Sequence, residues 1–131
     1  MKVIILKPSL GKFGKNIVRD FIYGCWCNGR RIGGMQMPPL TELLVATAIR
    51  QEGIESELLD AQTQIDRFEG LLQNRFSDVL AVIIMSSTQS FKNDVITCKA
   101  IKSANPKTRT ILFGSHPTFM PEYCLKEDSV D

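Results

Sequence analysis

Thr110-Ile111-Leu112-Phe113-Gly114-Ser115-His116-Pro117-Thr118 runs from an apolar stretch into small residues and a turn. A strand that ends this way marks the carboxyl edge of an open α/β sheet, where such sheets hold ligands. Upstream, the chain repeats one rhythm. Residues 3–6 are an unbroken apolar run, as a strand covered on both faces requires. Pro39 can open a helix, with Leu40, Leu43, Leu44, Thr47 and Ala48 expected on its inner face and Gly53 at its close. Residues 56–59 read as a second strand ending in Asp60. A helix follows around 65–74, with Ile65, Phe68, Leu71 and Leu72 on one side. Val79–Met85 is the most apolar run and belongs at the centre of a sheet. Phe91, Val95, Cys98 and Ile101 recur at core-facing helical spacing, with Lys99 and Lys102 on the wet side. Asn105-Pro106 ends that helix. Residues 110–113 are then the fourth strand, and 121–126 can form one or two helical turns.

This alternation predicts a parallel sheet with right-handed crossovers. The expected fold is a flavodoxin-like (Rossmann-like), doubly wound α/β sheet of order 2-1-3-4-5. Val130-Asp131 would begin the fifth strand, so residues 1–131 are expected to form one domain of a larger protein with that strand truncated.

The chain's 131 residues are 44% hydrophobic and 23% charged, the composition of one globular domain with an ordinary core. A formal charge of +2 gives no argument for nucleic acid, although Lys12, Lys15, Arg19, Arg30 and Arg31 gather early in the chain. No apolar run approaches the length of a membrane span. The start, Met-Lys-Val-Ile-Ile-Leu-Lys-Pro, reads as a strand and not a signal peptide, so a cytoplasmic location is expected. Cys25, Cys27, Cys98 and Cys124 lack the spacing of a zinc site. Without a secretion signal they are expected to be reduced thiols.

One region breaks the rhythm. Residues 8–38 separate the first strand from the first helix, where a βα loop usually has about two to six residues. The segment carries several glycines, Phe21, Tyr23 and the single Trp26. It is expected to be a functional loop containing a short helix around 15–23.

Several motifs fail. Residues 24–31 have P-loop glycine spacing but place Arg30 and Arg31 where Lys and Ser or Thr are needed. No Gly-x-Gly-x-x-Gly follows the first strand. A magnesium-binding receiver needs carboxylates where this chain has Lys7 and Met85-Ser86. Cys25-x-Cys27 has one residue too few for the redox motif.

Others stay open. Ser86-Ser87-Thr88-Gln89-Ser90 offers four hydroxyls that can cap the next helix or meet a ligand. Gly114-Ser115 suits either a tight turn or close approach of a flat ligand to the backbone. His116, the single histidine, suits a structural hydrogen bond better than a metal.

Pro38-Pro39-Leu40, the helix end Arg50-Gln51-Glu52-Gly53, the strand 54–61 closing on Asp60-Ala61, and Leu112-Phe113-Gly114-Ser115-His116-Pro117-Thr118 with Pro121-Glu122 and Val130-Asp131 occur in a characteristic order. In these the chain resembles the cobalamin-binding domain that precedes many radical S-adenosylmethionine enzymes. The resemblance implies a cofactor lying across the carboxyl edge with its nucleotide tail running into the domain. It implies a cofactor-binding set of Ser9, Ser86, Ser87, Thr88, Gly114, Ser115 and His116, with no catalytic and no metal-ligating residue. The family's wider Asp-x-His-x-x-Gly loop is replaced by Lys7-Pro8-Ser9-Leu10-Gly11, so no histidine stands there to bind cobalt. The partner implied is a C-terminal radical domain of the same parent chain, a methyltransferase or cyclase. That domain would hold the [4Fe–4S] cluster and S-adenosylmethionine, since no Cys-x-x-x-Cys-x-x-Cys occurs here. The alternatives are a cofactor-free recognition or interaction module on the same fold and, more weakly, a flavin or nucleotide binder. An exposed sheet edge would also permit a homodimer.

Overall fold

The computed structural model describes residues 1–9, 17–18, 27–28 and 38–131. In chain order the elements are β1 (Lys2–Lys7), β2 (Ile17–Val18), β3 (Cys27–Asn28), α1 (Leu40–Gln51), β4 (Ser56–Asp60), α2 (Ile65–Gln73), β5 (Val79–Met85), α3 (Phe91–Ala104), β6 (Arg109–Phe113), α4 (Ser115–Phe119) and α5 (Pro121–Cys124). Four strands form one sheet in the order β4-β1-β5-β6, with every pairing parallel. Numbered by those four strands alone, the order is 2-1-3-4, that of the flavodoxin-like fold expected from the alternation.

Side chains alternate across this sheet because a strand turns successive residues to opposite faces. Ile4, Leu6, Val82 and Ile84 pack with Phe68 of α2 and with Cys98 and Ile101 of α3. Val3, Ile5 and Ala81 pack beneath Ala46 of α1. Ile4, Ile5 and Leu6 are almost completely buried, and burying each contributes about 1.5–3 kcal/mol.

The core face of α1 differs from the one expected. Leu40, Leu43, Leu44, Thr47 and Ala48 are exposed, whereas Glu42 and Ala46 are buried and Val45 and Ile49 pack partly against the sheet. Close approach decides this. The Ser56 hydroxyl donates to the Ala46 carbonyl at 2.8 Å, bringing the helix backbone against β4 at a small, buried residue. Gly53 closes α1 as expected: at φ +76° its N–H donates to Arg50, and the N–H of Ile54 donates to Ile49, a Schellman pair.

Within the long segment, Ile17–Val18 pairs antiparallel with Cys27–Asn28. At 17–18 that backbone pairing stands in place of the helix expected around 15–23, since a strand cannot also satisfy its amides within a helix; the rest of that expected helix lies outside the described residues. Trp26, Cys25 and the cations Lys12, Lys15, Arg19, Arg30 and Arg31 lie outside the described residues.

At the far edge of the sheet, the Asp131 N–H donates to the Thr110 carbonyl at 2.9 Å, and the Thr110 N–H donates to the Asp131 carboxylate at 2.8 Å. Asp131 thus lies beside β6, held by a backbone bond and a bond to its carboxylate, and is in no strand. Among the described residues no helix is long and apolar enough to cross a membrane.

Candidate functional site

Parallel pairing brings the carboxyl ends of all four strands to one edge. Lys7 and Asp60 are register partners there, and the Lys7 ammonium, 1% exposed, lies 3.2 Å from the Asp60 carboxylate. Burying an ammonium is costly, and the carboxylate offsets that cost. Ser9 follows, buried, and its hydroxyl has no hydrogen-bond partner among the described residues.

The loops after β5 and β6 are joined more tightly. The Ser86 N–H donates to the Phe113 carbonyl at 2.7 Å, extending the strand pairing by one bond. The Ser86 hydroxyl is buried and has no partner among the described residues. Gly114 sits at φ +111°, and a Cβ there would stand 2.6 Å from the Ser86 carbonyl oxygen. Glycine is therefore required by the protein's own backbone crossing.

Ser87 and Ser90 are buried and engaged with each other. The Ser87 N–H donates to the Ser90 hydroxyl at 2.9 Å, and that hydroxyl donates to the buried Asp94 carboxylate at 2.7 Å. Ser90 makes no side-chain cap bond at the start of α3; its hydroxyl ties the loop to the helix interior instead. Thr88 is exposed, and its Oγ1 lies 3.2 Å from His116 Nδ1. The His116 ring is 5% exposed. It packs on Phe91 at 4.5 Å between centroids and meets Tyr123 edge-on at 5.8 Å. His116 Nε2 is buried without a partner among the described residues.

Of the seven residues expected to bind a cofactor, Ser86, Ser87 and Thr88 lie on the loop after β5, Gly114 links β6 to α4, Ser115 and His116 open α4, and Ser9 follows the neighbouring strand β1. Ser115 is exposed. Sequence reasoning missed the Lys7–Asp60 pair and the aromatic partners of His116. It also missed an apolar strip: by alternation Ile83, Met85, Ile111 and Phe113 share the sheet face that carries α1, and none of them is fully buried. The alternation of β5 and β6 was the available signal for this strip.

Cys98 and Cys124 are free and buried. Burial, helped by the negative charge of Asp94, pushes Cys98 up to about 12, and burial raises Cys124.

Residues 33–131 match the family model of the B12 binding domain. No curated protein and no solved structure matches the chain. The match covers more than half of the chain and includes β4, β5, β6 and the loops that follow them. The chain belongs to the B12-binding domain family, and its flavodoxin-like sheet is that of a cobalamin-binding module.

Proposed function

We propose that this domain holds cobalamin across its carboxyl edge with no protein histidine on cobalt. We further propose that it presents the cofactor to a radical S-adenosylmethionine domain of the same parent chain, a methyltransferase or cyclase. The observation that carries the first part is the position of the single histidine. Ser9 stands where a ligating imidazole would be needed, while the His116 ring is buried between Phe91 and Tyr123 and bonded to Thr88.

The residues present suit the cofactor. Two buried hydroxyls, Ser9 and Ser86, lack partners among the described residues at this edge, and an unpaired buried polar group costs about 1–3 kcal/mol that a ligand can recover. The half-open strip of Ile83, Met85, Ile111 and Phe113 offers an apolar face to the nucleotide tail. Ser86 and Thr88 would hydrogen-bond the tail, and Gly114 and Ser115 would border it. Ser87 is already committed to Ser90, so its part is to hold the loop. Bound cobalamin supplies a methyl carrier or an electron-transfer centre, chemistry that side chains lack.

The test is uptake of hydroxocobalamin, read by absorbance after removal of free cofactor, then electron paramagnetic resonance of the Co(II) form. Retained cofactor without nitrogen superhyperfine splitting is expected. Neither the protein's histidine nor the cofactor's own dimethylbenzimidazole is expected on cobalt. A nitrogen triplet that becomes a doublet on 15N-histidine labelling would overturn histidine-free binding, an unchanged triplet would mean dimethylbenzimidazole coordination, and no uptake would favour the cofactor-free interaction module. The radical partner is tested by reading the gene beyond Asp131. A Cys-x-x-x-Cys-x-x-Cys there supports it, and a stop codon counts against it. The outer edge of β6 is also proposed as a homodimer contact, for which sedimentation should show self-association.

A further inference from the structure

We infer that His116 is a positioning residue for Thr88: the imidazole holds the Thr88 oxygen so that the hydroxyl proton is free to reach an acceptor oxygen on the ligand. This rests on the cobalamin-binding reading above and goes beyond it. Three observations carry it. The ring is fixed on two sides by Phe91 and Tyr123 and is 5% exposed. Its Nδ1 lies 3.2 Å from Thr88 Oγ1, joining the first turn of α4 to the loop after β5. Its Nε2 is buried with no partner among the described residues.

The third observation selects the tautomer. A buried N–H without an acceptor is rarer and costlier than a buried lone pair without a donor. The proton therefore belongs on Nδ1, where Thr88 Oγ1 can accept it. A threonine oxygen that accepts from imidazole keeps its own proton for donation. Thr88 is exposed at the carboxyl edge, so that proton is available to a phosphate or amide oxygen. His116 acts through Thr88 and need not touch the ligand.

The single histidine makes the test direct. In the chain labelled with 15N-histidine, long-range 1H–15N correlation should show the Nδ1–H tautomer; an Nε2–H pattern would overturn the inference without reference to any cofactor. Binding of hydroxocobalamin supplies the second arm. Thr88→Val and His116→Phe should each weaken it about tenfold, the scale of one hydrogen bond. The double variant should lose no more than either single one, because both remove the same link. His116→Asn, whose amide can stand near the Nδ1 position, should recover most of the affinity, and His116→Gln should not. Additive losses, wild-type binding by His116→Phe, or equal behaviour of Asn and Gln would each overturn the positioning role. Melting temperatures of these variants separate loss of fold from loss of the link. If the wild-type chain takes up no cobalamin while the Nδ1–H tautomer is present, the cobalamin reading fails, and the positioning role fails with it.

Discussion

Gly114 shows how one residue can be required for a reason other than its ligand. Its place after an apolar strand suits either a tight turn or the close approach of a cofactor. The structure puts the Ser86 carbonyl 2.6 Å from where a Cβ would be, with φ at +111°. Gly114→Ala therefore meets both a backbone clash and a strained dihedral, and should destabilise the domain by about 2–4 kcal/mol. Gly53 provides the comparison, because its φ is +76° but its Cβ position is open. Gly53→Ala should cost only about 1 kcal/mol. Urea unfolding of the two variants reads the difference, and equal midpoints would mean that the crossing at Ser86 relaxes. Cofactor affinity should fall with stability in Gly114→Ala, because the residue shapes the edge by letting β6 cross the end of β5.

At the scale of the element, α1 separates apolar content from burial. Leu44 is 71% exposed and Ala46 is 3% exposed, so Leu44→Lys should stay within about 0.5 kcal/mol of the wild type. Ala46→Leu should cost about 1–3 kcal/mol by overpacking against β1 and β4. Thermal melting checks both, and the reverse order would restore the leucine stripe as the core face. Patterning was readable where large side chains themselves fill the core: Phe91, Val95, Cys98 and Ile101 of α3 are all buried as their spacing predicts. It failed for α1, where a small residue permits the contact and the leucines stay outside. It also failed for Arg75 and Phe76, consecutive left-handed residues with φ of 54° and 46° and no glycine to mark the turn. Phe76 is nevertheless fully buried, edge-on to Phe68. The serine-rich loop and Gly114 were visible at the site because their composition is local. The Lys7–Asp60 pair was not, because only the register of β1 against β4 brings together residues 53 apart.

For the molecule as a whole, the far edge of the sheet links stability to pH. Asp131 joins α3 to β6: its carboxylate meets Lys102 at 2.6 Å and Arg109 at 2.8 Å and accepts from the Thr110 N–H and hydroxyl. Val130 beside it packs into the core near Phe91 and Cys124. Burial pushes the Asp131 carboxyl up, but the bonds from Lys102, the Thr110 N–H, Arg109 and the Thr110 hydroxyl outweigh it and hold the group well below the usual carboxylate range. A carboxyl whose pKa is lower folded than unfolded stabilises the fold above its unfolded value of about 4. That contribution declines as the pH falls from there toward the folded value. Asp131→Asn should therefore be less stable than the wild type at pH 7, with the gap shrinking steadily between about pH 4 and pH 2. Denaturant unfolding at several pH values measures this directly. A gap that stayed constant on acidification would mean that Asp131 acts only as a neutral hydrogen-bond acceptor for Thr110. Its charge would then contribute nothing to holding α3 against the sheet.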